Sequence, residues 1–261
     1  MPGTGDPAPP AASPGLSGPP FSGPPSPAPR RPLDPRDRGR IMLGASVALT
    51  LALYWIPYGY IFVYPLLLLS TLAHEMGHGL MAELVGGDFD RFLLWSDGSG
   101  LAMYRGSPSR IGQALVAAGG LIGPAIAAAL LFRLARTATH ARRIFYGIGV
   151  VLLILALFYV RSLFGFFFVA GLVLLSLVLG RFSTDEMAQL LLVFVAVQLA
   201  LSVFSRADYL FTRVAETGDG NHPSDVAQIA EALWLPYWFW GAACGLFSLL
   251  VLWRGFKSFW R

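Results

Sequence analysis

Charge is what this chain has least of. Only 13% of its 261 residues are charged, against 55% hydrophobic, and the mean hydropathy is +0.60. Soluble domains carry about 25% charged residues. A globule with half that share cannot cover itself with polar groups, which excludes an ordinary soluble enzyme and a disordered protein. The net charge of +4 is no nucleic-acid signature, because the arginines sit at the ends and between apolar runs. Cysteine is nearly absent: Cys244 stands alone in an apolar stretch, so an internal disulfide and a cysteine-ligated zinc site are excluded. What remains is a polytopic membrane protein in the cell membrane.

Residues 1–40 lack apolar runs. They hold 13 of the 19 prolines, interleaved with Gly, Ser and Ala. Such a segment has little to bury and is expected to be a disordered tail. It ends in Arg30, Arg31, Arg36, Arg38 and Arg40. These read as a solvated run that orients the first membrane helix, with a partner-binding tail as the alternative. The late apolar start and the missing small-residue cleavage site argue against a removable signal peptide. Residues 41–261 then form one membrane-embedded domain.

A spanning helix needs about 20 apolar residues. The pattern predicts helices near 41–56, 60–85, 109–133, 144–160, 163–180, 186–205 and 232–253. The first and fourth runs are short, so six to seven spans are expected in an all-α fold. Trp234, Trp238, Trp240 and Trp253 suit a membrane interface. The interval 86–108 breaks the pattern. Phe92–Trp95 and Leu101–Tyr104 are β-prone strips flanking the turn Asp97-Gly98-Ser99-Gly100, which predicts a short β-hairpin after the second helix. Its edge could take an extended peptide, or it could be a loop that merely folds back.

The second helix carries His74-Glu75-Met76-Gly77-His78. On a helix, residues four apart share one face about 6 Å apart along the axis. Two imidazoles placed so can converge on one metal ion, and Zn²⁺ suits imidazole nitrogen while leaving a position for water. Glu75 stands next to the first histidine, where a carboxylate can take a proton from that water and pass it to a leaving amine. Ionisable groups inside a membrane helix are costly and are usually functional. Glu83, two turns on, reads as a supporting or interfacial carboxylate.

A catalytic zinc needs a third protein ligand. His140 lies in an Arg-rich loop and is expected to be solvated. The polar loop 206–231 offers Asp208, Asp219, His222 and Asp225. Counting spans puts this loop on the face where the second helix ends, so it can reach the motif. The arginines Arg133 to Arg143 then fall on the opposite face, against the positive-inside tendency.

The chain resembles the site-2-protease group of intramembrane zinc metallopeptidases, and looks most like their compact bacterial relatives. The resemblance rests on His74-Glu75-Met76-Gly77-His78, Gly86-Gly87, the Asp97-Gly98-Ser99-Gly100 turn, the Gly-rich third helix and Ser224-Asp225 ahead of Leu235-Pro236-Tyr237-Trp238. It implies that His74 and His78 bind zinc, that Glu75 is the catalytic base and that a distant aspartate is the third ligand. Asp225 fits that aspartate best. Better-known members place it in Leu-Asp-Gly or Asn-Pro-Asp-Gly; this chain has neither, and Asp219-Gly220-Asn221-His222-Pro223 keeps the residue types in another order. The resemblance also implies that the third helix, with Gly119 and Gly123 four apart, packs on the zinc-bearing one. Its expected substrates are membrane-associated polypeptides in the lipid bilayer. A non-proteolytic zinc scaffold or a metal transporter is the alternative. A transporter would spread ionisable residues over several helices, whereas here they cluster in one turn.

Overall fold

A computed structural model describes residues 35–260 except 107, 206 and 219, together with residue 3; at 35, 36, 38, 54, 205, 207 and 208 it describes the backbone alone. The expected tail therefore lies outside the described residues up to 34, residue 3 aside. Its last six residues belong instead to α1 (Pro35–Trp55). Proline suits the first helical position, where its missing N–H costs nothing and its φ is already helical.

Seven more helices follow: α2 (Tyr60–Leu84), α3 (Arg110–Leu134), α4 (Ala141–Phe158), α5 (Leu163–Phe182), α6 (Asp185–Ser205), α7 (Asp225–Leu233) and α8 (Tyr237–Phe259). Two antiparallel hairpins interrupt them, β1 (Asp88–Leu94) with β2 (Gly100–Arg105) and β3 (Val214–Thr217) with β4 (Gly220–Pro223). The protein is an all-α polytopic membrane protein with small hairpins. Among the described residues, five helices, α3 to α6 and α8, are long and apolar enough to cross a membrane. α2 has the length, 25 residues, but its ionisable turn dilutes the apolar run. The interval expected as a polar loop, 206–231, holds the second hairpin and most of the short α7, and the predicted last helix starts later than expected, as α8 after Pro236, where a proline ahead of the first turn is tolerated.

The interval predicted as a hairpin is one, with a bulge between Phe89 and Arg91. Its two edges have different neighbours. Phe92 on β1 donates its N–H to Tyr159 O at 2.8 Å and accepts from Arg161 N–H at 3.0 Å, which ties that edge to the α4–α5 connection. Ala102, opposite Phe92, turns its N–H the other way, towards α2. β2 therefore presents its outer edge to the helix that carries the motif.

α2 and α3 pack backbone to backbone. A methyl on Gly119 would lie 2.6 Å from Gly77 O and 2.7 Å from Met81 Cβ. A methyl on Gly123 would lie 2.5 Å from Ala73 O. Only glycine at these positions lets the helices approach so closely, as in other membrane bundles. α3 starts at Ser109, whose hydroxyl accepts from Gly112 N–H at 3.2 Å as an N-cap.

Candidate metal centre

His74 and His78 lie one turn apart on α2, facing α3 and α7. Their rings meet edge to face with centroids 4.8 Å apart, and their Nε2 atoms are 3.2 Å apart. His78 Nδ1 stands 2.9 Å from Val116 O. A carbonyl only accepts, so Nδ1 carries a proton, and in the neutral ring Nε2 is then the nitrogen with the lone pair. This backbone contact fixes the ring's orientation, as the outer hydrogen bond of a metal-binding histidine does. Gly120 makes room for the ring, since any β-carbon there would run into the imidazole.

Asp225 reaches the same point from far along the chain. Its Oδ2 is 3.1 Å from His74 Nε2 and its Oδ1 is 3.3 Å from His78 Nε2. Asp225 as a residue is only 4% exposed. Ser224 places it: the buried Ser224 hydroxyl caps α7 by accepting from Ala227 N–H at 3.3 Å and donates to Thr212 O at 2.6 Å. Asp225 is the next residue, and its charge at a helix N-terminus is favourable.

The donor set fits a metal ion. All three ligand atoms lie within 4.8 Å of one another. A tetrahedral ion with bonds of about 2.0–2.2 Å spaces its ligands about 3.3–3.6 Å apart. The 3.2 Å between the two imidazole Nε2 atoms comes within a few tenths of that, and each Asp225 oxygen stands equally close to one of them, Oδ2 at 3.1 Å from His74 and Oδ1 at 3.3 Å from His78. Two imidazole lone pairs and a carboxylate aimed at one point repel unless a cation or protons lie between them. His74, His78 and Asp225 could therefore hold a metal.

Glu75 lies beside this group. It is 6% exposed, and its Oε2 accepts Ala102 N–H at 2.7 Å, so the β2 edge sets the direction of the carboxylate. Two adjoining cavities of about 110 and 360 Å³ both reach His74 and Glu75. Both are also lined by Gly100, Tyr209, Ala215 and Thr217.

The remaining candidates fall elsewhere. Glu83 accepts Phe89 N–H at 2.7 Å and fastens the start of the first hairpin. His140 sits in a short 3-10 turn, exposed. His222 on β4 lines the larger cavity without joining the three donors. The side chain of Asp208 and all of Asp219 lie outside what is described. Tyr209 was not singled out in the sequence, yet its ring stands edge-on to His74 with centroids 5.9 Å apart. Gly120 was likewise missed as the residue that seats His78; the run Gly119-Gly120 signals close packing but not what packs there.

Comparison with known proteins agrees with this architecture. No curated protein and no solved structure matches the chain. The family described as Peptidase M50B-like matches residues 44–255, most of the chain and all of the site. The chain belongs to this family and is a membrane metallopeptidase of the site-2-protease type.

Proposed function

We propose that the protein is an intramembrane zinc endopeptidase of the cell membrane that hydrolyses membrane-associated polypeptides. The observation that carries this reading is the convergence of His74 Nε2, His78 Nε2 and the Asp225 carboxylate beside the buried Glu75. Two nitrogens and one oxygen with room for a further ligand suit catalytic zinc. Zinc bound there supplies a Lewis acid that polarises the scissile carbonyl and lowers the pKa of water towards 7.

Glu75 takes the proton of the attacking water and delivers it to the leaving amine. Its bond from Ala102 N–H keeps one carboxylate oxygen engaged and leaves the other for this transfer. The same bond places the reacting groups beside the outer edge of β2. An extended peptide pairing with this edge at Gly100 and Tyr104, on either side of the Ala102 N–H that Glu75 holds, would lie along the larger cavity, past Glu75 and the metal ligands. The cleft offers this strand an apolar floor from Val116 and Ala117. Peptide hydrolysis needs the substrate unwound, and pairing to a strand edge supplies that extended form.

The test pairs metal content with cleavage. Purified protein is expected to hold about one zinc per chain, in keeping with the one cluster of three donors among the described residues. Glu75→Gln is expected to keep the zinc and lose about 10²–10⁴-fold in peptide cleavage, the range for a general base. A homogeneous Glu75→Gln protein that cleaves at the wild-type rate would sink the role of Glu75. Zinc binding without cleavage of any polypeptide, joined to zinc transport into sealed vesicles, would favour the transporter instead.

A further inference from the structure

The two hairpins meet at their tips. Gly218 donates its N–H to Ser99 Oγ at 3.0 Å. The Ser99 hydroxyl donates in turn to Asp97 Oδ1 at 2.6 Å, and the Ser99 N–H reaches the same oxygen at 2.8 Å. These two donors hold the Asp97 carboxyl below the ordinary carboxylate range, so the acceptor stays charged at neutral pH. Gly218 also lies flat on the indole of Trp95: a methyl there would sit 2.6 Å from Trp95 Cγ. No other residue allows this approach.

The two partners in this contact are held differently. The first tip is fastened to α2, where the Tyr64 hydroxyl donates to Ser96 O at 2.6 Å and the Thr71 hydroxyl donates to Gly98 O at 2.8 Å. The second hairpin is tied at its base, where Ser224 N–H donates to Arg213 O at 2.9 Å. Its strands have no buried residue along their length. Gly100 and Thr217, next in sequence to the contacting Ser99 and Gly218, line both cavities. The contact thus completes a ring: α2, β2, the joined tips, β3, then α7 and back to α2 through the ligand cluster.

We propose that this tip-to-tip contact is a specificity-determining strap, in which Trp95, Ser99 and Gly218 close the cleft and must part to admit an internal segment of a polypeptide. The inference rests on the proteolytic reading above. A substrate with a folded domain or membrane anchor on each side of its scissile bond cannot be threaded through a closed ring. Opening at the tips lets such a segment drop onto the β2 edge, and closing commits it, as lids do in other enzymes. The strap then favours segments that extend locally over regular helices, because a helix is too wide to lie beneath a closed strap.

The test locks the strap with a reversible bond. In Trp95→Cys/Gly218→Cys the bulky ring that would crowd residue 218 is gone. Trp95 Cβ lies one bond beyond the Cγ contact, so the two Cβ atoms stand no more than about 4.1 Å apart, within the reach of a disulfide. The native Cys244 is buried in the core cluster shared by α3, α7 and α8. The full-length protein is assayed on a reporter with one transmembrane segment between two folded soluble domains. Loss of its zinc to added EDTA is followed in parallel. Oxidation is expected to cut reporter cleavage by about tenfold or more, with recovery on reduction. Equal cleavage by the oxidised and reduced forms overturns the strap, whatever the zinc does. If no form cleaves the reporter, the wild type included, zinc loss decides. Slower loss in the oxidised form supports the strap while the proteolytic reading fails, and unchanged loss overturns the strap.

Discussion

The centre has two walls of different construction. One is the α2–α3 pair, packed through Gly77, Gly119 and Gly123 so that backbone touches backbone. It carries His74, His78 and Glu75 on a single turn, with His78 locked by Val116 O. The other wall is the second hairpin with α7, which brings Asp225 from a segment with four-residue strands and a nine-residue helix. The rigid wall places two imidazoles by packing alone. The lighter wall is held by the Ser224 cap and the contact between the hairpin tips. On the proposed reading the difference separates precision from access: the histidines would fix where the ion sits, and the Asp225 side would yield to a substrate.

The largest effects are expected on the rigid wall. His78→Ala removes a ligand and its anchor together, and metal content should fall close to zero, beyond the about 10–100-fold that loss of a supporting partner costs. Asp225→Ala should leave the two imidazoles in place and so retain weak, rapidly exchanging metal. Equilibrium dialysis against zinc buffers separates the two variants. If Asp225→Ala bound zinc as tightly as wild type, the third ligand would lie elsewhere and the two-walled comparison would break.

Gly120→Ala is the next step down. It adds a methyl where the His78 ring lies. Overpacking of this kind costs about 1–3 kcal/mol, or about 5–150-fold in affinity if the ring takes up the displacement. The expected result is weaker zinc binding with the helix content unchanged. Full affinity in Gly120→Ala would show that the α2–α3 wall yields more easily than its close packing implies.

Legibility in the sequence divides along the same line. The rigid wall was readable because its ligands lie four residues apart, where helix periodicity alone brings them to one face. The first hairpin was readable because Asp97-Gly98-Ser99-Gly100 is a turn signal between β-prone strips. The lighter wall shows in the sequence only as a polar loop ahead of the last helix. Its strands are four residues long, too short for alternation to stand out. The short helix did leave a trace: Val226, Ile229 and Ala232 recur at helical spacing and are all buried. That Asp225 turns towards α2 depends on a tertiary contact between segments some 150 residues apart, which no local pattern encodes. The start of α1 at Pro35 was missed for a different reason, since a proline-rich stretch hides a proline that opens a helix.

The smallest effect tests whether the light wall truly places its ligand. Ser224→Ala removes the cap of α7 and the bond to Thr212 O together. Losing an N-cap costs about 0.5–2 kcal/mol. Ser224 precedes Asp225 directly, so part of that cost should appear as metal affinity, a several-fold weakening. Ser109→Ala supplies the control: it removes the equivalent cap of α3, whose hydroxyl accepts from Gly112 N–H at 3.2 Å. That residue belongs to neither the ligand set nor the cleft. Both variants should lower thermal stability by similar amounts, and only Ser224→Ala should weaken zinc binding. Equal zinc affinities in the two variants would mean that Asp225 is held by the ion rather than by its cap, and that the light wall takes its order from the metal.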